Sequence, residues 1–205
     1  MGVTIYYRGT IDDKTMVGNL ADEMEDFALS LGWETQRWNE DWTKPNTARF
    51  SPGKRAMRIL GHAPLQGITL YPHEQSESLW LTFDPNGALM DIVTMATVAE
   101  KERKVEVFWT STKTQFAPIE IHITIVKLLQ YVKRRYISNL EVNDDGGYWE
   151  SGDAYELQRR IDSINHSMDI LELALSAADA QLGAAKSPEE LAEAIERIIR
   201  QKFGG

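Results

Sequence analysis

The sequence predicts an α+β protein, mainly an antiparallel sheet with helices packed on one face, followed by a C-terminal helical hairpin. Three observations carry that expectation. Short β-branched and aromatic runs alternate with helical stripes in the order strand, helix, several strands, helix, strand, an order that suits an antiparallel sheet with segregated helices. Asp84-Pro85-Asn86-Gly87 stands between apolar runs; proline pre-sets the first turn angle and Asn-Gly accepts positive φ. From Leu157 to Leu182, the residues Leu157, Ile161, Ile164, Met168, Leu171, Leu175, Ala178 and Leu182 recur at spacings of four and three. That is the rhythm of a helix laying a continuous apolar seam against another helix.

The elements follow in order. Val3 to Tyr7 is rich in β-branched and aromatic residues and reads as a first strand. Asp12 or Asp13 can cap a helix in which Met16, Leu20, Met24, Phe27 and Leu31 recur at helical spacing, and Gly32 is its natural stop. Trp33 to Trp38 alternates large apolar with polar residues, as a strand does. Asn39 to Lys54 is polar, contains Pro45 and Pro52, and reads as a loop; Ala56 to His62 fits a strand or a short helix. Gly67 to Tyr71 is a strand ended by Pro72, and Leu79–Phe83 and Ala88–Met95 are the expected arms of the hairpin. Val105 to Trp109 reads as the next strand.

Pro118 opens a segment of two readings. Ile119, Ile121, Ile123 and Ile125 alternate as in a strand, whereas Ile121, Ile125, Leu128, Val132 and Tyr136 form a helical stripe, and length favours the helix. Leu140 to Val142 is a short strand, and Asp153 with Glu156 forms a capping pair for the long helix. Ser187-Pro188-Glu189-Glu190 places cap, proline and capping-box glutamate in order for a last helix. The chain thus divides into a sheet domain, residues 1–150, and a helical hairpin, residues 151–205, the expected oligomerisation element.

Composition narrows the function classes. With 42% hydrophobic and 26% charged residues, the chain has the make-up of a globular protein rather than a disordered one. No run approaches the roughly 18 apolar residues of a membrane span, and the N-terminus lacks the pattern of a signal peptide. The absence of cysteine removes disulfides, thiolate metal sites and thiol nucleophiles. A cytoplasmic location is the expectation. The net charge of −9 argues against broad nucleic-acid binding, which needs a basic face; the local exceptions are Arg49/Lys54/Arg55/Arg58 and Lys133/Arg134/Arg135, each more in keeping with a solvated face, and the second is the weaker alternative as a nucleic-acid contact.

Three constellations carry possible chemistry. His73-Glu74 follows Tyr71-Pro72, and His122 in the later helix could complete an acid/base or metal-binding set. The competing reading is a solvated turn, and the spacing is not that of a His-Glu-x-x-His helix. Asp144 to Asp153 gathers acids around glycines but lacks calcium-loop spacing, so Tyr148 and Trp149 are read as pinning a turn or, if exposed, as binding residues. Six tryptophans could line a ligand pocket or fill sheet faces; Trp42, in a polar stretch, is the aromatic singled out for partner contact.

No phosphate loop, nucleophile elbow or dinucleotide fingerprint is present in the sequence. The expectation is therefore a non-enzymatic binding protein without cofactor or metal. It would self-associate, preferably as a dimer, through Leu157, Ile161, Ile164, Met168, Leu171, Leu175 and Leu182, and bind a protein or small-molecule partner. An enzyme built on His73, Glu74 and His122 is the alternative.

Overall fold

The central strand of the first sheet, β1 (Thr4–Arg8), buries Ile5 and Tyr7 completely. In this computed structural model, the described residues are 2–53, 57–101 and 108–177, with Ser187 and Glu193. After β1 a short 3-10 turn, capped by Asp13, leads into α1 (Val17–Ser30). There follow β2 (Glu34–Asn39), β3 (Arg49–Pro52), β4 (Met57–Leu60), β5 (Gln66–Tyr71) and β6 (Leu79–Phe83). Then come α2 (Ile92–Lys101), β7 (Thr110–Lys113), α3 (Ile119–Arg135), β8 (Glu141–Asp144), α4 (Tyr148–Ser151) and α5 (Ala154–Ala177). The contacts divide the chain into two compact units, residues 2–157 and residues 158–205.

Every strand pair is antiparallel. The sheets are β7-β1-β8, β2-β5-β6 and the pair β3-β4. The two three-stranded sheets meet along a seam between β6 and β7-β1. At one end of it the Glu77 amide donates to the Lys113 carbonyl at 2.8 Å; at the other, the Leu89 amide donates to the Gly9 carbonyl at 2.9 Å. Between these ends, among the described residues, no strand pairs with the edge of β6 opposite β5. The Trp80 amide donates instead to the Tyr7 hydroxyl at 2.8 Å, which lies 3.4 Å from the Thr112 hydroxyl, itself a donor to the Ser78 carbonyl at 2.9 Å. A side-chain relay thus stands in for ladder hydrogen bonds that buried backbone groups require.

Alternation along the strands builds two cores. Ile68 and Leu70 of β5 and Leu79, Leu81 and Phe83 of β6 join Leu20 and Met24 of α1, and Ile125 and Leu129 of α3, in the first. The opposite face of β5 carries Thr69, whose hydroxyl accepts the Trp38 indole N–H at 2.9 Å. There Trp38 packs with Leu65, Met90, Met95 and Ala96 in a second core that includes Phe50 of β3 and Ile59 of β4. The expected α+β class holds at this level. The placement of every helix on one face does not: α2 belongs to the second core, opposite α1.

Two element expectations are corrected, and a third falls largely outside the described residues. The Asp84–Gly87 turn is present, with the Asn86 and Ala88 amides both 2.9 Å from the Asp84 carboxylate, but its second arm is only Ala88-Leu89. Asp91 then caps α2, accepting the Thr94 amide at 2.8 Å and the Thr94 hydroxyl at 2.8 Å, so Ile92–Met95 is helical. The stretch 39–54 contains β3, which pairs Phe50 with Ile59. The strand expected at Val105–Trp109 falls largely outside the described residues; the strand that is described begins at Thr110.

α3 is a helix throughout Ile119–Arg135, as length implied. Asp153 caps α5 through the Tyr155 amide at 2.8 Å and the Glu156 amide at 3.2 Å. Apart from Ser187 and Glu193, the second helix of the expected C-terminal hairpin lies outside the described residues. None of the described helices is long and apolar enough to cross a membrane.

Candidate functional site

His122 sits one turn inside α3 and is fully buried. Its Nδ1 lies 2.7 Å from the Thr114 hydroxyl and its Nε2 lies 3.2 Å from Asp144 Oδ2. An ionised carboxylate only accepts, so Nε2 carries a hydrogen toward Asp144. Asp144 also accepts the Gly146 amide at 2.7 Å and the Trp149 amide at 2.9 Å. Burial alone would raise this carboxyl; the His122 hydrogen bond and charge, with the two amides, outweigh it and hold the group below the usual carboxylate range.

The order hydroxyl, imidazole, carboxylate is that of a nucleophile triad. Here, however, Thr114 and His122 are both buried, and the network joins the end of β7, α3 and β8 within the protein. A Cβ on Gly146 would come 2.9 Å from His122 Cε1 and 2.6 Å from Leu157 Cδ1, so the space around the ring is already filled. Its role in this fold is that of a clamp.

His73 lies in the turn after β5, where its Nδ1 accepts the Gln75 amide at 3.1 Å, and Glu74 is exposed beside it. Since both nitrogens of His122 are engaged by Thr114 and Asp144, neither is open to a shared ion with His73. Among the described residues no group of three or more histidines and carboxylates is arranged to hold a metal.

Trp42 is half-buried and packs against the first core, as do Tyr148 and Trp149. The Lys133 ammonium stands 5.9 Å from the Trp149 ring. Of the residues expected at the helical seam, Leu157 is buried beside Gly146, Ile161 is buried, Ile164 is half-buried and Met168 is exposed. Leu171 and Leu175 lie on α5 with side chains outside the described residues, and Leu182 is outside them altogether.

One open apolar groove among the described residues has no counterpart in the sequence reading. The stripe Leu20, Met24, Phe27, Leu31 continues past the core it serves: Leu20 and Met24 are buried, while Phe27 and Leu31 remain 40% and 46% exposed. With Leu128 and Tyr131 of α3 they form a groove of about 640 Å³ between α1 and α3. One end is tied by Glu23, which accepts from the Tyr131 hydroxyl at 2.7 Å and from Arg135 Nη2 at 2.9 Å. The Tyr131 hydrogen bond, aided by Tyr136 and Arg135, holds the Glu23 carboxyl below its usual range. Along the rim, Asp26 of α1 and Lys127 of α3 have no ion-pair partner among the described residues. The sequence shows the stripe Leu20, Met24, Phe27 and Leu31, but not that its last turn outruns the core. Comparison with known proteins returns no matching family model, no matching curated protein and no matching solved structure.

Proposed function

We propose that this chain is a non-enzymatic binding protein that associates with a second copy of itself. The observation that carries the reading is the groove between α1 and α3. Its floor is apolar, Phe27, Leu31 and Tyr131 are exposed within it, and its rim bears one unpaired carboxylate and one unpaired ammonium on opposite sides. In a two-fold contact the same patch meets itself, so α1 of one copy lies over α3 of the other. Asp26 and Lys127 then face their opposites twice. Such rim pairs add little energy but fix orientation, while burial of the apolar floor supplies the attraction at roughly 25 cal/mol per Å².

The seam on the C-terminal helices, with Met168 exposed, is the other surface proposed to take part. A cytoplasmic location agrees with the cysteine-free composition. Size-exclusion chromatography with light scattering at micromolar protein tests the reading: a dimer mass is expected, and a monomer at all concentrations overturns it.

A further inference from the structure

The seam between the two three-stranded sheets has an open side, where a cavity of about 490 Å³ lies beside the first turn of α2. Trp80 of β6 and Trp109, just before β7, line it, together with Glu77, Asp91, Ser78 and Ser111. Trp80 points away from Leu79 and Leu81, which fill the first core. Beneath it, the relay from the Trp80 amide through Tyr7 and Thr112 to Ser78 fixes the β6 edge. The cleft is therefore held by buried structure rather than by loops alone. Its size falls within the roughly 300–1,000 Å³ of small-molecule sites.

The chemistry of the lining selects the ligand. Two carboxylates and no cation stand among its described residues. The Arg8 guanidinium lies over one face of the Trp109 ring, 4.5 Å from its centroid, and is bound to Glu141 at 2.6 Å, so its charge is already countered and any further cation meets the exposed remainder of the ring. Asp91 is engaged at the start of α2 by Thr94, which also removes that helix end as an anion site. Glu77 uses Oε2 to accept the Lys113 amide at 2.8 Å. No hydrogen bond to its Oε1 is present among the described residues. Trp109 is 38% exposed and Val93, at the cleft edge, is 52% exposed, so an aromatic and an aliphatic surface are both open to solvent. Burial pushes the Tyr7 phenol upward, with small further contributions from the Asp91 and Glu77 charges, so the hydroxyl that accepts the Trp80 amide stays protonated. Tryptophan faces attract cations, most strongly where water is excluded.

We propose that this cleft binds a small alkylated ammonium compound, its cationic head between Trp80 and Trp109 and against the free oxygen of Glu77. The hydroxyls of Ser78 and Ser111 are then placed for a polar tail. The site is independent of the groove between α1 and α3.

Choline, titrated into the full-length protein and followed by tryptophan fluorescence and calorimetry, is the probe. Its neutral isostere, 3,3-dimethyl-1-butanol, has the same shape without the charge. Saturable binding of choline is expected, with the isostere at least about tenfold weaker. Trp109→Ala weakens choline binding by roughly tenfold and Glu77→Gln by several-fold, with far-UV circular dichroism checking that each variant is folded. Absence of saturation with both choline and tetramethylammonium overturns the proposal. So does equal binding of the isostere, or unchanged affinity in both variants.

Discussion

Asp144 holds three donors at once: the His122 imidazole and the amides of Gly146 and Trp149. Removing its charge leaves buried donors with a weaker acceptor, a change that costs about 2 kcal/mol where the acceptor was ionised. Asp144→Asn is therefore expected to lower the urea midpoint at neutral pH. The same carboxyl sets part of the acid response. Its folded value lies below the unfolded one, so the folded state binds fewer protons there. Its stabilisation is complete above the unfolded carboxyl's titration, near pH 4, and is lost as pH falls through the lower folded value. Urea titrations from pH 7 to pH 2 are expected to show a shallower acid limb in Asp144→Asn than in the unaltered protein; superimposable limbs refute the assignment. His122 could be singled out in the sequence as a residue able to do chemistry. Its link to Thr114 and Asp144 could not, although Asp144 stands in an acid-rich stretch, because the two lie 8 and 22 residues away and are joined to it only by the packing of α3 between β7 and β8.

The elements show where periodicity sufficed and where it failed. α1, α3 and β5 were legible because each buries one clear stripe or alternates against a core. α2 was misread as a hairpin arm because Asn-Gly promises a second strand, and the capping aspartate four residues later outcompetes it. Ile92, Met95 and Ala96 carry the helical spacing, but over only three turns that signal is weak beside the turn. Asp91→Ala tests the cap: it is expected to cost about 1 kcal/mol and to loosen amide-exchange protection in α2 before that in α1. Equal loss in both helices contradicts a local role. The seam between sheets was invisible in the sequence, since a tyrosine hydroxyl replaces a strand there. Tyr7→Phe leaves the Trp80 amide buried without an acceptor, at a cost of roughly 1–3 kcal/mol. A variant as stable as the parent in urea would show that the relay does not support the sheet.

At the scale of the whole molecule, the proposed self-association has two candidate surfaces. A sequence seam that spans roughly 40 Å at 1.5 Å per residue drew attention to the C-terminal helices, yet Leu157 at its start is buried beside Gly146. The groove between α1 and α3 offers a second surface, legible only once the helix stripe is seen to outrun its core. The two can be separated by charge. Leu31→Glu places a carboxylate in the groove at a site already 46% exposed, so folding is little affected, but burying an unpaired charge in a dimer contact is strongly unfavourable. Leu171→Glu places a carboxylate on the seam expected on α5. If the groove is the interface, Leu31→Glu is monomeric by light scattering with an unchanged circular dichroism spectrum, and Leu171→Glu retains the dimer mass. If the seam is the interface, the outcomes exchange. Charge reversal refines the test: Asp26→Lys alone places two ammonium groups opposite each other at both rim pairs and weakens the dimer at low salt, whereas Asp26→Lys with Lys127→Asp restores complementarity. Recovery of the dimer in the double variant, diminishing as salt screens the rim, is the result that the two-fold groove contact requires; a double variant as weak as the single one rules that geometry out.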